Sequence, residues 1–151
     1  IFHTEMAGSP FGVLKTKDRD KQELEECATF IACYSKTWKL GLTAMDVFYV
    51  TKDQVTKEAP SGEFIQKGSF MIYGKKTMLS VSLDLNIGKM KDGKVMSGPL
   101  SAVKKHCEVS VKIIQGNEKT SAVAKKINHK IKADDLDDLV KVIPVGSKVS
   151  K

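Results

Sequence analysis

The stretch PSGEFIQKGSFMIYGKK, residues 60–76, places Gly-Ser-Phe before a short apolar run and Gly-Lys-Lys directly after it. Two folds compete for it. A phosphate-gripping loop would need the spacing G-x-x-x-x-G-K-[ST]. Here five residues separate Gly68 from Gly74, and Lys76 stands where Ser or Thr should be. The intervening SFMIY is also aromatic and β-branched, which suits a strand. Backbone N–H groups in a strand are committed to neighbouring strands and cannot converge on a phosphate. The run is therefore read as a strand, Ser69–Gly74, with a basic turn at its exit.

Working outward, the clearest helix is DRDKQELEECATFIACYSKTWKLG. Asp20 stands at its cap position, with Glu23 three residues on as a capping box. Leu24, Cys27, Ala28, Ile31, Tyr34 and Trp38 recur at helical spacing, and Gly41 closes the end. Before it, Ile1–Thr4 and Phe11–Lys15 read as short strands around a Gly-Ser-Pro turn. AMDVFYVTK and MLSVSLDLNIG read as strands, and Asp92-Gly93 as a hairpin turn. A short helix in GPLSAVKKH precedes a strand in CEVSVKIIQG. A basic helix follows that buries Val123, Ile127 and Ile131. DDLDDLVKVIP makes a last helix with acids in its first turn. The fold class is α+β: a mixed, mostly antiparallel sheet on a long amphipathic helix, with a basic C-terminal αβ extension. The expected organisation is a core over residues 1–97 and an extension over 98–151 packed on the same domain.

The chain has 151 residues, a net charge of +7 and a pI near 9.3, with 41% hydrophobic residues. That is enough for one globular core and too little for a disordered chain. No stretch approaches the roughly 20 apolar residues of a membrane span. The chain opens at Ile1 within an apolar segment, which reads as a fragment or as an element entered midway. The excess of positive charge lies late: residues 98–151 carry eleven bases and six acids, whereas residues 1–40 carry six of each. Such a field favours polyanionic partners. Only one base is arginine, Arg19. Lysine is a point charge suited to phosphates, so backbone and shape recognition is expected over base reading. Three cysteines, Cys27, Cys33 and Cys107, form no CxxC pair, and no secretory signal is present. This points to a reducing cytosol. His3, His106 and His129 are too scattered for a metal site.

The segments FHTEMAGSPFGVLK, LEECATFIACYSKTWK and VFYVTKDQVTKEAPSGEFIQKGSFMIYGKKTMLSVSL resemble, in order and spacing, the NFACT-R domain, the RNA-binding domain of NFACT proteins. The tail from GPLSAVKKH to VIPVGSKV is similar to the extension of archaeal and eukaryotic-type members. Residues 60–76 are the most specific part. The resemblance implies an RNA-binding domain, in stand-alone archaeal-type form or as an excised domain, whose relatives bind the large ribosomal subunit with tRNA and tail stalled chains without a template. Tyr73 stands where relatives often carry Arg, and the GRN-like segment that usually precedes the His motif is absent.

The candidate RNA contacts are His3 and Ser9 of the first turn and Ser35, Lys36 and Lys39 of the helix end. Lys67, Ser69, Tyr73, Lys75 and Lys76 come from the 60–76 segment, and Lys126 and Lys130 from the basic helix. The lysines would hold phosphates, and Tyr73 could stack on a base. No Ser-His-Asp order, paired carboxylates or cofactor loop occurs, so no cofactor and no catalytic residue is assigned. The main expectation is a cytoplasmic domain gripping tRNA or rRNA. The alternatives are an RNA-modifying or RNA-processing enzyme using His3 and Glu63, and a protein-interaction module of ribosome rescue.

Overall fold

Between Lys21 and Lys39 the single helix expected from periodicity breaks in two. The computed structural model, which describes all 151 residues, has α1 at Lys21–Cys33 and α2 at Lys36–Lys39. Ser35 is the cause. Its backbone is extended (φ −88°, ψ 172°) and its hydroxyl accepts the Thr37 N–H at 3.3 Å, an N-cap placed inside the apolar stripe. Gly41, at φ +75°, closes α2: its N–H donates to Trp38 O and the Leu42 N–H to Thr37 O, a Schellman end. At the other terminus the expected capping box does not form. Asp20 makes no side-chain cap, and Glu23 instead accepts the Thr16 hydroxyl at 2.8 Å.

Strands β1 (Phe2–His3), β2 (Ala44–Tyr49) and β5 (Thr77–Ser82) form a three-stranded sheet in the order β1-β2-β5. A two-stranded hairpin, β3 (Val55–Thr56) with β4 (Met71–Ile72), stands beside it in sequence. A four-stranded sheet, ordered β7-β6-β8-β9, uses β6 (Leu85–Met90), β7 (Val95–Gly98), β8 (Cys107–Glu118) and β9 (Ser147–Val149). Helices α3 (Leu100–His106), α4 (Thr120–Ile131) and α5 (Leu136–Val142) complete the α+β chain. Every strand pairing is antiparallel, so the mixed sheet gives way to separate antiparallel ones. The 78–88 run is also divided. β5 belongs to the first sheet and β6 to the second, with only Leu83 and Asp84 between them.

Two apolar clusters follow. Phe2, Ala28, Ile31, Ala32, Val47 and Val81 join α1 to the inner face of β1-β2-β5. Val123, Ile127 and Ile131, four apart along α4, pack with Leu85, Ile87, Val111 and Ile113. Two aromatics from the helix break bind the halves together. Trp38 is buried in the second cluster, and its indole N–H donates to Ser147 Oγ at 3.0 Å. Tyr34 donates to the Val142 carbonyl at 2.7 Å and sits 2.8 Å from Ser97 Oγ. No helix is long and apolar enough to cross a membrane.

Candidate nucleic-acid interface

Residues 60–76 are mostly not a strand. Only Met71 and Ile72 pair, with Thr56 and Val55, and the segment 57–70 is the loop of that hairpin. It carries Lys57, Phe64, Lys67, Ser69 and Phe70. Lys67 and Ser69 are exposed on it, and the Ser69 N–H closes a turn onto Gln66 O at 3.0 Å.

The turn at Gly74 is held by a side chain that sequence reading missed. The Gln54 amide donates to the carbonyls of Tyr73 (2.8 Å) and Lys75 (3.0 Å), while its oxygen accepts the Thr51 N–H at 3.0 Å. Gly74 has φ +78°, and a Cβ there would lie 3.2 Å from the Gln54 amide nitrogen. Handedness and close approach both ask for glycine. The clamp leaves Tyr73 47% exposed and the Lys75 side chain in solvent.

Lys76 turns back over the sheet. Its ammonium lies 4.5 Å from the Phe48 ring centroid and 2.7 Å from Glu5 Oε1. It is therefore already paired, by a carboxylate 71 positions away. His3, paired in register with Phe48, donates from Nδ1 to the Pro10 carbonyl at 3.1 Å. Its ring stacks on Phe11 at 4.1 Å with a 4° tilt and meets Phe48 edge-on. Phe11 in turn contacts Phe70, and Lys57 lies 5.7 Å from the Phe70 centroid. Glu63 sits exposed on the hairpin loop, and nothing links it to His3.

Two predicted contacts are corrected by burial. Ser9 is hydrogen-bonded to the Thr4 hydroxyl and donates to Met6 O at 2.9 Å, so it stabilises the turn from inside. Ser35 is spent as the α2 cap and donates to Ala32 O at 2.7 Å. Both residues are buried. Lys36 does reach the first turn: its Cε lies 3.2 Å from the position a Gly8 Cβ would take. With Lys39, Pro144 and Val145 it lines a shallow cleft of about 250 Å3. Lys126 and Lys130 are not brought to the Gly74 corner. Their helix packs on β8, α5, β9 and β6, and Lys126 pairs with Glu118 at 2.7 Å. The α4 lysines thus stand on the second core, apart from the Gly74 corner.

The model of the NFACT protein RNA binding domain matches residues 1–74. Residues 1–74 belong to the NFACT-R family. That range holds the His3 turn, α1, α2, β2 and the β3–β4 hairpin as far as Gly74, and stops just short of Lys75 and Lys76. The archaeal Rqc2 homolog aRqcH of Methanocaldococcus jannaschii is 32% identical over 154 residues, covering 97% of this chain and 23% of its own length. The ribosome quality control complex subunit NEMF of Homo sapiens is 35% identical over 83 residues, covering 53% of this chain and 8% of its own. Its Drosophila melanogaster homolog is 34% identical over 80 residues, with 51% and 8% covered. The chain spans less than a quarter of the length of these relatives. No solved structure matches.

Proposed function

We propose that this chain is an RNA-binding domain of ribosome quality control, acting in the cytoplasm on tRNA or rRNA in the context of the large ribosomal subunit. One observation carries the reading. The matched segment runs up to a basic corner at Gly74 whose backbone is clamped by Gln54; Lys75, directly after it, and Lys67, on the hairpin loop before it, are both exposed. A rigid turn bearing ammonium groups suits ribose-phosphate, since lysine binds phosphate as a point charge without needing a fixed fork. The His3–Phe11 stack brackets the first turn, and Lys36 of α2 reaches Gly8 of that turn. Binding is the activity proposed, because the histidine and the one carboxylate of the specific segment do not meet.

The test is binding of bulk tRNA and of isolated large subunits across a salt series. Affinity should fall with a log–log slope of about −0.7 to −0.9 per phosphate neutralised. The charge reversal Lys75→Glu with Lys76→Glu should abolish binding while circular dichroism stays unchanged. Equal affinity of parent and double variant would defeat the proposal.

A further inference from the structure

The register of the first sheet puts His3, Phe48 and Met78 on one face, because directly opposed residues of antiparallel strands point the same way. The opposite face carries Phe2, Val47 and Val81 and is covered by α1. Side chains from two loops lie over the outer face. Phe11 lies parallel on His3, and Phe70 meets Phe11 edge-on at 5.0 Å and 68°. Phe11 stays 42% exposed, Phe70 37% and Met78 49%. Lysines stand at both ends of this row, Lys76 on Phe48 and Lys57 on Phe70. The hairpin segment 57–76 that supplies most of them has four lysines against two glutamates.

We infer that this outer sheet face is a stacking platform for unpaired bases of single-stranded RNA, with Phe11 and Phe70 taking the bases and Lys57, Lys67 and Lys75 the flanking phosphates. The inference rests on the RNA-binding reading above and narrows its ligand. Every base has a π-face, so exposed rings accept bases without sequence preference, and cations beside them track the backbone. A duplex hides those faces within its own stack, so the platform has nothing to take from one. Lys57 sits on a long stem and can swing from the Phe70 ring to a phosphate as a base arrives. An apolar protein partner would leave the flanking ammonium groups unanswered, whereas phosphates answer them.

The experiment uses the full chain with a ten-nucleotide mixed-sequence RNA carrying 2-aminopurine, and a blunt RNA duplex of the same length. The parent should quench the 2-aminopurine and prefer the single strand. Phe11→Leu and Phe70→Leu should each weaken single-strand binding about 5-fold or more, from the usual worth of one base–aromatic stack. The salt slope should not change, because no lysine is lost. Phe70→Trp keeps a ring and should keep both affinity and quenching; this exchange decides the matter should the leucine variants melt early. Undiminished single-strand binding by both folded leucine variants would overturn the platform, hand that face to a protein partner, and leave the RNA-binding reading standing. Equal preference for duplex, with 2-aminopurine left bright, would also overturn it. A parent that binds neither short RNA would overturn the platform, and one that also fails to bind bulk tRNA and large subunits would overturn the RNA-binding reading with it.

Discussion

Glu5 is placed to act as a brake on Lys76, and removing its charge should tighten RNA binding. The pair is short, 2.7 Å, but both partners reach solvent: Lys76 is 33% and Glu5 70% exposed at the side chain. An exposed pair of this kind contributes about 0.2–1 kcal/mol. A phosphate that recruits Lys76 must first displace the carboxylate, at a cost of that same size. Glu5→Gln should therefore raise affinity for tRNA by about 1.4- to 5-fold, since each 1.36 kcal/mol is a factor of ten. The gain should shrink between 50 and 200 mM salt as screening takes over from the carboxylate. Folding should barely respond. Lys76 keeps its contact with Phe48, so the melting temperature should fall by no more than about 4 °C. Fluorescence anisotropy with labelled tRNA, run as a double-mutant cycle with Lys76→Met, isolates the pair. In the Lys76→Met background Glu5→Gln should gain nothing beyond what any lost negative charge gives. The same gain in both backgrounds, or no gain in either, would refute the brake.

Other outcomes follow from the same geometry. Lys130→Glu, on a helix of the second core, should weaken RNA binding less than twofold where Lys75→Glu weakens it strongly; comparable losses in the anisotropy assay would mean that α4 shares the grip. Gly88→Ala should destabilise the protein by about 1–3 kcal/mol in urea titration, because its Cβ would sit 2.8 Å from Cys107 Cβ and 2.9 Å from the Val109 carbonyl oxygen, a strand backbone with no room to yield. Burial holds the Cys33 thiol and the Tyr34 phenol up at about 12 and Cys27 at about 11, against ordinary values of 9.0 and 10.0. Raised folded-state values favour the protonated forms, so their contribution is complete below about pH 9. It is lost as pH climbs through 9 to 12, when the unfolded chain ionises first. Urea midpoints should fall across that window, and a flat profile would contradict the burial of all three groups.

Periodicity and turn chemistry reached much of this architecture. The stripe Val123, Ile127, Ile131 needs only the helical repeat to be read, and Asp92-Gly93 announces the β6–β7 turn locally. Ser35 shows where such reading stops. A serine within a helical stripe looks the same whether it lies inside the helix or caps the next one, and its Thr37 partner decides. The strand expected at Ser69–Gly74 shrank to two residues because alternation measures apolar pattern, not the availability of a pairing partner. Likewise nothing local in MLSVSLDLNIG signals that Leu83-Asp84 carries the chain from one sheet to the next. The exposed lysines of the corner were legible as charges. Glu5 on Lys76, Phe11 on His3 and Gln54 under Gly74 were not, since each is a meeting of segments that only the fold brings together.

Trp38 is the sole tryptophan of the chain, and it is lodged where the α2 turn enters the second core with its N–H on Ser147. The protein thereby carries its own optical gauge of integrity. Parting of the two halves would wet the indole and move its emission to the red before either sheet had to melt, so one spectrum can tell separation from collapse without any added label.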